Sequence, residues 1–365
     1  MVRGPVQTAS LSAVEAELSD GIPFGSYGYL STEVAAVHSS LLALLAEPCP
    51  AARELLGALA RGGDSAIVVQ DPLVRRTVED GVCTVASGMD AIDGAMLEAV
   101  LTAAAAAADA RAPSLLGASA RCVPLGADPG CAYVWADDRP ANAPGRRFVA
   151  NVLARLPGFR IEVPTADQVQ VLVDGQRLAC RLAPRLAGSA LAHLRVVVVG
   201  DFGGGQAPFN ALTVPGLPGV VVISPTAVAT GAAAVAETLV HESVHLKFLD
   251  IEYVRPLFPV GFRPYSSPRI IPIWHADDPR YGGWPLDRLL TSMHVYVSLI
   301  VFFRLAADRG RGEFYPREEC AARVDRYRTR ATWLHTTAQE YLPQLSAAGR
   351  EFVAWLGTLL GELEP

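Results

Sequence analysis

The sequence predicts an α+β fold that is predominantly helical, with a small central β region and an HExxH helix packed against a buried, histidine-bearing helix. Two observations predict it. Apolar residues recur at three- and four-residue spacing through the first third of the chain and again through the last. Between them, from about residue 132, the pattern changes to short β-rich runs. With 365 residues, 51% hydrophobic and 19% charged, the chain can bury a large core. No internal repeat or linker is visible. We expect an N-terminal helical region (1–118), a β-rich region (119–228) and a helical metal-binding region (229–365), folded as one compact unit.

Taken in order, residues 32–46, 51–60, 72–85 and 91–110 read as helices separated by Pro, Gly, Asp and Ser. His38, in the first of these, is expected to be structural. Residues 169–173 and 176–182, joined by Asp174-Gly175, read as a hairpin, because Asp-Gly suits the tight turn between strands. Further strands are expected at 194–199 and 219–223. The Gly203-Gly204-Gly205 run lacks the GK[ST] continuation of a phosphate loop and is read as a turn. Ser224-Pro225 opens a helix that continues to Leu249, with a break possible at Gly231. Residues 255–285, rich in proline, aromatics and charge, are too long for an ordinary connection and read as functional or disordered. Residues 288–306 are apolar on nearly every face, hence central. Cys320, Val324, Tyr327, Ala331, Leu334, Ala338 and Tyr341 mark one amphipathic helix, with His335 beside its seam. Phe352, Trp355, Leu359 and Leu363 mark another.

Composition narrows the function. A net charge of −6 argues against nucleic acid as a partner, since a phosphate-backbone binder needs a basic stripe. The longest uncharged stretch, 202–236, is broken by Pro208, Pro215, Pro218 and Pro225, so no membrane-spanning segment is expected. Glu15, Glu17 and Asp20 interrupt any early apolar core, so no secretion signal is expected and the predicted location is cytoplasmic. The six cysteines form no CxxC pair and read as small core residues, not as a disulfide framework or a thiolate zinc site. Basic charge is almost all arginine, with Lys247 the only lysine, so an isolated arginine carries little information.

Chemistry concentrates in His241-Glu242-Ser243-Val244-His245. On a helix the two imidazoles project from one face and can share a metal ion, and Glu242 stands within reach of a metal-bound water. Residues 232–249 are otherwise so apolar that these polar groups need a reason to be there. Glu237, one turn earlier on the same face, can support the ring of His241 from behind or simply be solvated. A third ligand decides the class. The extended metzincin pattern fails, with Phe248 at its glycine and Ile251 at its third ligand. His294, inside the apolar helix, is the best-placed donor. His275 is a weaker contender, near Asp277 and Asp278, and Glu313, Glu318 and Glu319 look solvated. Spacing alone suits hydrolytic zinc and iron equally, and the prevalence of HExxH among zinc peptidases makes one with Glu242 as general base the default. A binding protein with a structural zinc is disfavoured, because such sites are closed by Cys or His clusters.

The run from Leu239 to Lys247, the following Tyr/Ser/Pro/Trp/Arg-rich loop and the Met293-His294 helix together resemble the HExxH-type peptide β-hydroxylases, over about residues 215–303. The resemblance implies Fe(II) held by His241, His245 and His294, with 2-oxoglutarate and O2 as co-substrates. It implies a non-haem iron oxygenase that hydroxylates an unactivated β-carbon of a peptide or amino-acid side chain in the biosynthesis of ribosomally made natural products. The substrate would be a precursor peptide, a carrier-tethered unit or a free amino acid. Arg280, then Arg269, would clamp the far carboxylate of 2-oxoglutarate, with Trp274 and His275 in a substrate loop. The family's loop has Arg after the tryptophan and Pro after the later arginine. Here these are His275 and Tyr281. The alternative remains a zinc-dependent metallopeptidase.

Overall fold

Four consecutive valines, Val196 to Val199, leave no polar face for solvent, and in the computed structural model they form a strand buried on both sides. The structure describes residues 10–363 apart from 63–64, 113, 117–120, 126–131, 203–208, 215, 278–281 and 311. The strands are β1 (Cys122–Pro124), β2 (Tyr133–Trp135), β3 (Arg160–Ile161), β4 (Val196–Asp201), β5 (Ala211–Thr213) and β6 (Val220–Ile223). They form a mixed sheet in the order β1-β2-β4-β6-β5, with β3 also pairing β4. The centre is parallel: β4 runs beside β2 and beside β6, with Val196 opposite Val220 and Val199 opposite Ile223. The flanking pairs β1–β2, β3–β4 and β5–β6 are antiparallel.

The helices are α1 (Leu11–Asp20), α2 (Tyr27–Leu45), α3 (Pro50–Ala60), α4 (Ser65–Gln70), α5 (Pro72–Ser87), α6 (Gly94–Asp109), α7 (Ala143–Arg155), α8 (Ala166–Leu182), α9 (Pro184–Leu191), α10 (Pro225–Ala229), α11 (Ala232–Val254), α12 (Leu286–Arg309), α13 (Arg317–Glu340) and α14 (Ala347–Glu362). The fold is α+β and predominantly helical. The chain divides into two units by interleaved segments. One comprises Met1–Ser26, Cys180–Ser189 and Lys247–Pro365, and the other Tyr27–Ala179 and Ala190–Leu246.

The second unit holds the sheet. Its core joins Leu55, Val74, Leu101, Trp135, Phe148, Val198 and Val222, from α3, α5, α6, α7 and the sheet. Asp71 caps α5, its carboxylate accepting from the backbone of Leu73 and Val74 and from Ser114 and Leu115. His38 is buried in this unit with its ring 3.6 Å from Glu79, a structural placement as its sequence context suggests.

One expectation fails here. Residues 169–173 and 176–182 are not a hairpin but belong to the single helix α8. The buried positions, Leu172, Gly175, Leu178, Ala179 and Leu182, follow helical spacing, and Asp174 is exposed on the other side. Gly175 is there for contact, not for a turn. A β-carbon at that position would lie 2.4 Å from Val235 Cγ1 and 3.2 Å from the Ala232 carbonyl, so its hydrogen lets α8 lie close against the start of α11.

The first unit is helical. α12 is buried on nearly every face, from Leu286 through Phe303 to Ala306. By length and composition it is long and apolar enough to cross a membrane, and 89% of the qualifying stretch is buried within the protein. The expected seam of α13 is buried at Cys320, Val324, Tyr327, Ala331, Leu334 and Ala338, whereas Tyr341 caps the helix and is only half-buried. The ring of His335 meets Gln339 at 2.9 Å, and burial lowers its pKa. The loop 255–285 is built, where described, from two 3₁₀ turns and an antiparallel bridge between Ile270 and Trp284. The cysteines fit core positions only in part: Cys49 and Cys320 are buried, but Cys83 is exposed. The Gly203–Gly205 run lies outside the described residues.

Candidate metal centre

The segment that carries the HExxH motif begins at a clean helix start. Ser224 Oγ accepts from the Ala227 amide, Pro225 occupies the first turn, and the short α10 ends before Gly231. Gly231 has φ of +108°, a left-handed conformation that side-chain-bearing residues rarely adopt. The expected break therefore falls at this glycine, and α11 starts afresh at Ala232.

Along α11 burial separates two kinds of position. Leu239, Val240, Glu242, Ser243, Val244 and Leu246 are buried, while Glu237, His241, His245 and Leu249 are half-buried and recur every four residues. That stripe is the face on which i, i+4 spacing puts both imidazoles. Their ring centroids are 5.1 Å apart.

Glu242 sits beside this pair, and a strand fixes it. Its Oε2 accepts a 2.9 Å hydrogen bond from Thr213 Oγ1 on β5, while its Oε1 lies 3.9 Å from His241 Nε2. Thr213 also reaches the Glu242 carbonyl at 3.3 Å. A carboxylate that is 7% exposed would be free to rotate and costly to bury without such a partner, so Thr213 sets its direction. Sequence reasoning missed Thr213, because a threonine in a three-residue strand has no chemical signature of its own.

The remaining expected residues are placed as follows. His294 is in the first unit on α12, 1% exposed, with ring centroids 5.6 Å from Phe352 and 5.9 Å from Trp355. His275 is half-buried in the second 3₁₀ turn, and Asp277 is exposed. Trp274 is packed by Trp333, Trp284 and Tyr296 at 5.4, 5.7 and 6.3 Å, with the Arg330 guanidinium 4.9 Å from its ring centre. It is an anchor of its loop. Arg269 is exposed and donates to the Tyr265 carbonyl at 3.5 Å. Arg280, Asp278 and Tyr281 lie outside the described residues. Glu318 and Glu319 are exposed, Glu319 pairing Arg323, and Glu313 pairs Arg181, so these three are the solvated groups the sequence suggests.

The histidine pair fits a metal ion as two donors on one helix face, with a carboxylate held nearby. Among the described residues no group of three or more His, Cys, Asp or Glu is arranged to hold a metal ion. The structure brings His241 and His245 together on α11, and His294 belongs to the other unit.

Two residues past the motif, Lys247 is buried in the first unit. Its Nζ donates to the Leu18 and Gly25 carbonyls at 2.7 and 2.5 Å and to Ser189 Oγ at 3.0 Å. Burial pushes its pKa down to about 7, opposed by the charge of Asp20. In comparisons with known proteins, the chain matches no protein-family model and no curated protein.

Proposed function

We propose that the chain is a non-haem iron, 2-oxoglutarate-dependent oxygenase that hydroxylates an unactivated carbon of a peptide or amino-acid side chain. The observation that supports this most is the His241–His245 pair on the half-buried stripe of α11, with Glu242 beside it tied to Thr213. The resemblance of residues 239–247 and of the Met293-His294 helix to the HExxH-type β-hydroxylases adds the third donor, His294, and the co-substrate. Bound iron would supply the activation of O2 with oxidation of 2-oxoglutarate to succinate and carbon dioxide.

The chain's own residues have separate tasks in this reading. His241 and His245 hold the metal as neutral imidazoles, which requires both to be deprotonated at the donor nitrogen. Glu242 orients the neighbouring imidazole or the substrate, its direction set by Thr213. An arginine, Arg280 or Arg269, receives the distal carboxylate of 2-oxoglutarate as a two-pronged donor.

A zinc-dependent peptidase is the second reading, and one observation favours it: the Oε1 of Glu242 faces the Nε2 of His241, the placement a general base needs beside a metal-bound water. Anaerobic loading with Fe(II), followed by addition of 2-oxoglutarate, O2 and a peptide library, separates the two. Succinate release that depends on O2, with product gaining one oxygen atom, is the expected result. Peptide cleavage by the zinc-loaded protein under nitrogen would overturn it.

A further inference from the structure

In the first unit, prolines straighten part of the long loop before α12. Ser267 precedes Pro268 and Ile271 precedes Pro272, and a residue before proline is pushed towards extended backbone. Ser267 (φ −74°, ψ 158°) and Pro272 (φ −61°, ψ 142°) are extended accordingly. Exposure then alternates. Arg269, Ile271 and Ile273 are exposed while Ile270 and Pro272 between them are buried, so the first three side chains share one outer face. Ile271 and Ile273 are 52% and 54% exposed. At the other end of this face Arg269 donates to the Tyr265 carbonyl, and the Tyr265 hydroxyl accepts from Arg263 at 2.9 Å.

The backbone follows the same alternation. Ile270 and Trp284 exchange both hydrogen bonds, at 2.9 and 2.7 Å, so the next residue, Ile271, turns its N–H and C=O to the opposite side. Neither group has a backbone partner among the described residues. Pro272 falls on the Trp284 side of the alternation, so its missing N–H does not interrupt this edge. An unpaired edge beside exposed apolar side chains is a template for an added strand. Charge then selects what is added. Residues 253–276 contain Arg255, Arg263 and Arg269 and no acid. Arg255 is paired with Glu351 at 2.8 Å, whereas Arg263 and Arg269 are exposed and form no ion pair with a described carboxylate. Arg269 acts on the half-buried Asp287 only from a distance. Lipid tails offer nothing to an open backbone edge, and a chain of net charge −6 is repelled by an anionic bilayer. A second copy would set the same arginines against each other. A peptide that carries a carboxylate meets both requirements.

We propose that the edge 269–273 binds an extended peptide as an added strand. Ile271 exchanges main-chain hydrogen bonds with it, two apolar side chains of the peptide cover Ile271 and Ile273, and a carboxylate meets Arg269 and Arg263. Residues directly opposite in a sheet share a face, so in antiparallel pairing the peptide reads apolar-x-apolar-x-acid. The proposal does not rest on the oxygenase reading, in which it leaves 2-oxoglutarate to Arg280.

The test is fluorescence anisotropy of a labelled heptapeptide, Thr-Val-Thr-Val-Thr-Glu-Thr, titrated with the full chain. Its two valines and its glutamate fall opposite Ile273, Ile271 and Arg269 in turn. The expected result is saturable binding that weakens with salt. N-methylation of the second valine removes the N–H that faces the Ile271 carbonyl, and should weaken binding tenfold or more with the protein unaltered. N-methylation of the threonine between the valines, whose N–H faces away, should be tolerated. Glutamine in place of the peptide glutamate should cost several-fold, and Ile271→Asp tenfold or more. Arg269→Glu should reject the glutamate peptide and take its lysine counterpart. Both protein changes are on exposed side chains, where substitutions are usually tolerated by the fold. Equal loss from the two methylations, or equal binding of the glutamine peptide, would overturn the proposal. So would association with phosphatidylglycerol vesicles in the absence of peptide binding, or a dimer in sedimentation that Ile271→Asp dissociates.

Discussion

Glu242 is where the two chemical readings diverge, and Thr213 makes them measurable. Glu242→Gln keeps the acceptor for Thr213 but removes the base, so a hydrolase should lose about a hundredfold or more in rate, and an oxygenase much less. Metal content, measured by atomic absorption, should be unchanged in both. Thr213→Val removes a hydrogen bond to a charged group, roughly 1.5 kcal/mol, and should slow turnover about tenfold while leaving the metal bound. His294→Ala should lower bound metal as far as His241→Ala does. Full retention in the His294 variant would move the third ligand elsewhere. A second carboxylate gives a pH signature. Burial, aided by the charge of Asp287, raises Glu252 from 4.5 to about 7, against the pull of its bond from the Leu257 amide. Between those values the folded chain holds a proton that the unfolded chain releases, so this group's contribution to stability is complete below pH 4.5 and is lost as pH rises through 7. The loss should be on the order of 1–3 kcal/mol in denaturant titrations, and absent in Glu252→Gln.

At the scale of elements, what sequence reasoning reached and what it missed have the same physical origin. Segments whose burial repeats every three or four residues were legible, among them α5, α12 and α13, because their pattern is written in the residues themselves. So were β4 and β6, whose β-branched runs leave no face for water. The break at Gly231 was legible because a glycine after a proline-started turn has few other uses. α8 was misread because Asp174-Gly175 carries a local turn signal, while the true role of Gly175 depends on Val235, sixty residues later. The pairing of His241 with His245 could be read because both lie on one helix. The hold of Thr213 on Glu242 could not, since it joins a strand to a helix through folding alone. Gly175→Ala tests the α8 assignment. Alanine is intrinsically favoured in a helix by about 1 kcal/mol, but its methyl would overlap Val235, and overpacking costs roughly 1–3 kcal/mol. The variant should be destabilised in equilibrium unfolding, whereas a glycine in open helix would give a gain.

For the whole molecule, the interleaving of the units means that neither is a continuous length of chain. The segment Lys247–Pro365 leaves its partners elsewhere: Trp355 Nε1 donates to Glu17 at 2.9 Å, and Arg309 donates to the Leu182 carbonyl at 2.9 Å. A fragment of residues 247–365 should therefore retain helix in far-ultraviolet circular dichroism but lose the near-ultraviolet signal of fixed aromatic packing. Cooperative unfolding of that fragment would contradict this. The placement of Lys247 has a further consequence. The chain's only ε-amine is 2% exposed and engaged by three oxygens, so the folded surface offers no lysine side chain to any amine-directed reagent or modifying enzyme. Acylation at that position becomes a clock for opening of the first unit: its rate should follow the fraction of molecules in which α1 and α9 have let go, and reach the rate of a free lysine only in denaturant.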